Sequence, residues 1–245
     1  SWTELEASTA EAWGGIMVNI TTVSTTNTRG MVKIGLGAAG SEVELFRVPS
    51  RIMNRAGPVS VFAPVGVPEG SRVSVAHVAE SSWRRNIQVL GYPVADVGAP
   101  PFSFLDIGPF KYSIDADYAR GVTIASGATA DTKGPWVELS QDPSKNVIDG
   151  ASLPHNYEHL GVCFIGPSNP DNAYVLVDIA VGAAGSEVVI AENLSLIDAT
   201  VSGSGPGWPT IQWIAKSLAA GQRVSARTQA STGGKPIELL LAGLR

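Results

Sequence analysis

The heptapeptide Gly37-Ala-Ala-Gly-Ser-Glu-Val43 occurs a second time, unchanged, as Gly182-Ala-Ala-Gly-Ser-Glu-Val188. Each copy follows an alternating segment, Met31-Val-Lys-Ile-Gly-Leu36 in one case and Tyr174-Val-Leu-Val-Asp-Ile179 in the other. Identity of this length in matching context marks an internal duplication, and a duplication constrains the fold more than any composition can, because the same pattern has to fold twice. The match extends both ways. Pro58 to Val75 aligns without a gap on Pro209 to Ala226, setting Phe62 against Trp213, Gly70 against Gly221 and Arg72-Val-Ser74 against Arg223-Val-Ser225. Upstream, Trp2-Thr-Glu-Leu5 pairs with Trp136-Val-Glu-Leu139 and Gly15 with Gly161; downstream, Ile87-Gln-Val-Leu-Gly91 resembles Ile237-Glu-Leu-Leu-Leu241.

Within each copy, Val- and Ile-rich runs of period two are broken by Gly, Pro, Asn or Ser every 8–12 residues or so, which reads as about seven short strands. Only 16% of residues are charged, while 27 are Gly and 16 Pro, a balance that suits strands and tight turns better than surface helices. The expected fold is therefore all-β: two tandem jelly-roll-like β-sandwich modules from an internal duplication, joined by a partly ordered connector. Copy 1 spans residues 1–95, the connector 96–133 and copy 2 134–245. Five aromatic residues in the connector, Phe102, Phe104, Phe110, Tyr112 and Tyr118, are too many for a loose linker. Its final part, Gly121-Val-Thr-Ile-Ala-Ser-Gly127 through Trp136, reads as the true start of the second repeat. Copy 1 then lacks its leading strand, so the chain is expected to be a piece of a longer one or to begin against a partner. In the repeated turn, glycine supplies positive φ, and Glu42 and Glu187 are read as fixing the turn through hydrogen bonds.

Shared positions report the scaffold, so binding residues are sought where the copies diverge, in loops. From Trp2 to Gly15 the chain advances 13 residues, and from Trp136 to Gly161 it advances 25, the excess being assigned to Lys145–His159. A second insertion, Ser202–Gly207, leads into Trp208. The candidate ligand-binding residues are Trp208, Tyr157, His155, His159 and Asn156. An exposed indole or phenol stacks on a sugar face or a partner's apolar patch, although Trp208 could equally plug the end of its own sandwich. His155 and His159 stand at the spacing that holds zinc on a helix, but Pro154 and Asn156 oppose a helix there and a third ligand is not identifiable. No metal and no cofactor is expected.

Other chemistries find no support. The net charge of −5 argues against a phosphate-binding face, and the Arg84-Arg85 pair beside Trp83 reads as solvated surface, so nucleic acid is not an expected partner. The single cysteine, Cys163, lies in an apolar run and reads as a buried small residue. An apolar run near 18 residues is absent, so no membrane insertion is expected. No nucleophile elbow, phosphate loop or dinucleotide fingerprint is present, and Asp115, Asp117, Glu138 and Asp142 are acids that any binding module would carry. The chain is expected to be no enzyme.

Thr129-Ala-Asp-Thr-Lys-Gly-Pro-Trp-Val-Glu-Leu139, then Val177-Asp-Ile-Ala-Val-Gly-Ala-Ala-Gly-Ser-Glu-Val188, then Ala220-Gly-Gln-Arg-Val-Ser-Ala-Arg227 resemble repeats in tail-associated proteins of bacteriophages and gene transfer agents. The resemblance covers nearly all of copy 2 and, less completely, copy 1. It implies a virion location and a non-enzymatic structural or adhesion role in a tail fibre, spike or baseplate appendage. The implied partners are other virion proteins and a host cell-surface polysaccharide bound by copy 2 loops, in a homo-oligomer. The alternatives are an architectural adaptor between virion proteins without a ligand, or the carbohydrate-binding part of a glycan-active enzyme.

Overall fold

The computed structural model describes residues 1–22, 28–52, 59–79, 85–99, 102, 105–108, 122–139, 153, 155–167, 174–197 and 211–245. Trp83, Arg84, Phe104, Phe110, Tyr112, Tyr118, Pro154, Trp208, the segment 145–152 and the insertion 202–207 lie outside these. The chain divides into two compact units, the first built on Ser1–Ile107, the second on Gly108–Gly205 and Thr210–Gly243.

The first unit contains seven strands before a single helical turn. These are β1 (Trp2–Glu6), β2 (Trp13–Thr22), β3 (Thr28–Leu36), β4 (Val43–Ile52), β5 (Val59–Ala63), β6 (Val73–Ala79) and β7 (Arg85–Pro93), followed by α1 (Val94–Val97). They form two antiparallel sheets, ordered β1-β6-β3-β4 and β5-β2-β7. Alternation places Val32, Ile34, Phe46, Val48, Val73 and Val75 on the buried face of the first sheet, and Ile16, Val18, Ile20, Val61 and Ala63 on that of the second. Phe102, in the expected connector, bridges Val65, and β8 (Leu105–Gly108) follows it.

The second unit repeats the plan. Its strands are β9 (Val122–Ala125), β10 (Val137–Glu138), β11 (His159–Pro167), β12 (Val175–Val181), β13 (Val188–Ile197), β14 (Ile211–Ile214), β15 (Val224–Ala230) and β16 (Pro236–Leu244). The order β10-β15-β12-β13 reproduces β1-β6-β3-β4, and β14-β11-β16 reproduces β5-β2-β7. Seven strands per copy is the number read from the period-two runs. This is an all-β chain in which one sandwich pattern is built twice. The second unit adds β9, which pairs antiparallel with the first half of β16.

Close approach of aromatic rings to strand glycines recurs through both units. A side chain on Gly15 would strike the Phe62 ring, one on Gly161 the Trp213 ring, and one on Gly35 the Trp2 ring. The rings of Trp13 and Tyr157 lie flush on Gly91 and Gly243 in the same way. A glycine in a strand interior costs backbone entropy, and a ring laid over it recovers packing area that no side chain of its own could supply. Gly243→Ala therefore forces the wholly buried Tyr157 ring out of place. It should lower stability by about 1–3 kcal/mol, read as a drop in the denaturant midpoint. Alanine at Gly234, where nothing lies close, pays only for its positive φ.

Candidate functional site

The second half of the longer insertion turns out to be scaffold. Leu153 and Tyr157 are held by the backbone hydrogen bonds Leu153 N to Gln222 O, Gly221 N to Leu153 O, Tyr157 N to Leu218 O and Leu218 N to Tyr157 O. Copy 1 makes the same four with Thr9, Ser71, Gly70, Trp13 and Val67. Leu153 is thus the counterpart of Thr9 and Tyr157 of Trp13, so the residues truly added precede Leu153. Tyr157 is 1% exposed, which corrects the expectation of an accessible loop aromatic: its ring fills the end of its own sandwich. Asn156 is exposed but already engaged, its side-chain oxygen accepting the Ala220 N–H at 2.7 Å. His155 is exposed, with its ring edge-on to Tyr157 at 6.3 Å between centroids. His159 is half-buried at the start of β11. The structure thus brings His155, Asn156 and Tyr157 into one short segment, while Trp208 lies outside the described residues. Among the described residues no group of three His, Cys, Asp or Glu side chains is placed to hold a metal ion.

The strongest polar constellations are elsewhere and occur in duplicate. In copy 1, Arg72, immediately before β6, donates from Nε to Glu4 at 2.6 Å, and from Nη1 to the Gly37 carbonyl at 3.1 Å and Glu42 at 2.9 Å. In copy 2, Arg223, immediately before β15, donates to Glu138 at 2.9 Å, to the Gly182 carbonyl at 3.1 Å and to Glu187 at 3.2 Å. One guanidinium fork thereby ties an edge strand to the turn between two other strands, a geometry that lysine could not reproduce. The turn needs glycine: Gly37 and Gly182 have φ of 117° and 113°, Gly40 and Gly185 of 82° and 81°. Glu42 also accepts the Gly40 N–H at 2.9 Å. Its carboxyl is held below the usual range, first by its own backbone amide and then, against desolvation, by Arg72 and the Gly40 amide. For Glu187, burial pushes upward but is outweighed by its own amide, the Gly185 amide and Arg223. The expectation that these glutamates fix the turn is what the structure displays.

A third network belongs to copy 2 alone. Asp178, on the outer face of β12 yet 1% exposed, receives Lys133 Nζ at 2.7 Å, Arg227 Nε at 2.8 Å and the Asn193 N–H at 2.9 Å. Lys133 also pairs with Glu192 at 2.8 Å, and the Trp136 ring lies 4.5 Å beneath the Arg227 guanidinium. Burial pushes the Asp178 carboxyl up, but the bonds from Lys133, Asn193 and Arg227 win, leaving it below the usual range. Hydrogen bonds to Asp178 and Glu192 raise the Lys133 ammonium. At the same position copy 1 carries Lys33, 7% exposed and paired with Glu44 at 2.9 Å. The reversal of charge between Lys33 and Asp178 was visible in the aligned repeats, but a search confined to insertions passes over it.

No family model matches the chain, and no curated protein matches it in sequence. Among solved structures, one titled as that of the infectious bursal disease virus Gx strain aligns at 12% identity over 97% of this chain and 58% of the other, TM-score 0.24. The N-terminal CBM22-1-CBM22-2 tandem domain of Paenibacillus barcinonensis Xyn10C aligns at 8% identity over 98% and 85%, TM-score 0.24. Insecticidal delta-endotoxin Cry8Ea1 of Bacillus thuringiensis aligns at 7% over 89% and 53%, TM-score 0.27. The chain thus spans under two thirds of the viral and toxin chains, and likenesses at these scores carry no argument. The class of protein is defined by its own strands, a duplicated all-β sandwich protein. No helix among the described residues is long and apolar enough to cross a membrane.

Asp178→Asn tests the copy 2 network. A carboxyl with a depressed folded-state pKa stabilises the fold above its unfolded-state pKa and loses that contribution as pH falls through the folded value. The substitution should therefore cost about 1–3 kcal/mol at neutral pH. The gap to the parent chain should shrink as pH falls below about 4, measured as denaturant midpoints at several pH values.

Proposed function

We propose that the chain is a non-enzymatic architectural protein of a phage-like particle, a two-module adaptor between other virion proteins, with each module closed in jelly-roll fashion. The observation that supports this most is how its charged side chains are used. Arg72 and Arg223 hold strands and turns together in both copies, as do the acids that meet them. Asp178, Lys133 and Arg227 are spent in the same way. Clamps repeated bond for bond serve shape, and shape is what an adaptor supplies. The resemblance of the repeat motifs to tail-associated proteins supports the particle, and its symmetric assemblies support a homo-oligomer. Adhesion to a cell-surface polysaccharide is the second reading. It rests on the exposed His155 and on Trp208, since Tyr157 is taken up by the core.

The two readings separate in one binding experiment on the full chain, Trp208→Ala, and a deletion of 145–152 that spares Leu153 and Tyr157. Bacterial cells, their extracted polysaccharide and the purified particle proteins are the three probes. The adaptor reading expects stoichiometric association with a particle protein and no polysaccharide signal in any variant. Polysaccharide binding by the parent chain that Trp208→Ala abolishes would overturn it in favour of adhesion. Release of reducing sugar would overturn both.

A further inference from the structure

Residues 122–132 of unit 2 are joined to their sandwich in a way that lets them leave it without undoing it. β9 is four residues long and lies along the first half of β16, from Val122 opposite Leu239 to Ala125 opposite Pro236. Beyond it the chain curls into a loop closed on itself, the Gly127 N–H donating to the Thr132 carbonyl at 3.0 Å and the Thr132 hydroxyl to the Thr129 carbonyl at 2.7 Å. This loop sits on the turn between β15 and β16. Ser126 N–H donates to the Lys235 carbonyl at 3.0 Å, Asp131 N–H to the Ala230 carbonyl at 2.8 Å and Gly234 N–H to the Gly127 carbonyl at 2.7 Å, while Lys235 N–H donates to the Ser126 hydroxyl at 3.0 Å. The Tyr174 hydroxyl donates to the Asp131 carboxylate beside them.

The seat is backbone on backbone: a Cβ on Gly233 would lie 2.1 Å from the Ala128 carbonyl oxygen. Within 122–132, Ile124 is the one apolar side chain that is wholly buried, and Thr123, Ala125 and residues 128–132 are exposed. The sandwich beneath has a core of its own, with Val177, Ile179, Val224, Ala226 and Leu241 all buried. Opening costs follow buried apolar contact, so a segment with one such anchor opens before strands with many. The next residues are held differently. Lys133 Nζ stands 2.7 Å from Asp178 and 2.8 Å from Glu192, and Gly134 N–H donates to the Thr228 carbonyl at 2.9 Å.

We propose that residues 122–132 form a detachable strap, which lifts from β16 and from the turn before it as one body while both sheets of unit 2 stay folded, and that lifting stops at Lys133. Lifted, the strap is slack chain ahead of β10, at most about 4 nm when extended. The chain can then lengthen at this point without either sheet being opened. The strap does not depend on the particle assignment, because its ties lie wholly within unit 2.

Amide hydrogen exchange on the full chain tests it. The amides of Ser126, Asp131, Gly234 and Lys235 should share one degree of protection, about a hundredfold below that of β12, which is paired on both sides. Gly134 should be protected along with β12. Gly233→Ala should lower the protection of the four amides together by about tenfold and leave β12 as it was, and Lys133→Ala should bring Gly134 down to the level of the strap. The strap is overturned if the four amides are as protected as β12, if they differ widely among themselves, or if Gly233→Ala leaves them unchanged or lowers β12 equally. Gly134 exchanging with the strap in the parent chain, or staying with β12 in Lys133→Ala, would overturn Lys133 as the stop.

Discussion

Each module depends on an arginine that is shared among three strands. Arg72 and Arg223 stand one residue before the strand second from the sheet edge, and each reaches a glutamate on the edge strand as well as the carbonyl and glutamate of the turn between the next two strands. Edge strands of five and two residues would hold few ladder bonds by themselves. A bidentate guanidinium fixes their register and orientation at once, because a planar fork accepts its carboxylates in few geometries. The turn that closes the circuit is the identical heptapeptide, and its identity is now explicable: Gly37 and Gly40 meet backbone demands that their counterparts Gly182 and Gly185 also meet, the alanines leave room, and the glutamate returns to both the turn amide and the arginine.

Around that frame, packing is made by rings laid on glycines across strands. At one site the aromatic changes over a retained glycine, Trp13 on Gly91 becoming Tyr157 on Gly243, whereas Trp213 rests on Gly161, the counterpart of Met17. A flat ring fills space above bare backbone without needing a particular neighbour, so ring identity drifts more easily than the glycine beneath it. Charge drifts as well. Lys33 with Glu44 in one copy and Asp178 with Lys133 and Arg227 in the other solve the same problem, a polar residue held beneath others on the outer face of a sheet. Each is tolerable because its partners come with it.

The candidate site was legible only in part. Aligning the repeats located extra residues in copy 2, but a gap can be placed anywhere between two recognisable blocks. Leu153-Pro-His-Asn-Tyr157 shares no residue with Thr9-Ala-Glu-Ala-Trp13, so it read as insertion. What makes the two equivalent is a set of backbone hydrogen bonds, which leave no mark in side-chain identity. Even the side-chain duties have moved: Thr9 accepts the Ser71 amide in copy 1, whereas in copy 2 Asn156 and Gln222 accept the amides of Ala220 and Ala219. Tyr157 consequently passed from a ligand contact to a core residue, and Asn156 from a ligand contact to a turn-fixing one.

By itself, the sequence determined the duplication, the all-β class, the seven strands per copy and the repeated turn, because period-two burial and positive-φ glycines act over a few residues and write themselves into local pattern. Only the tertiary structure decided which arginine meets which glutamates, since Arg72 and Glu4 stand far apart in the chain and nothing local selects them from the other charges. The same holds for the pairing of β9 with β16. A strand edge is open or closed according to what pairs with it, and pairing is a property of the folded chain.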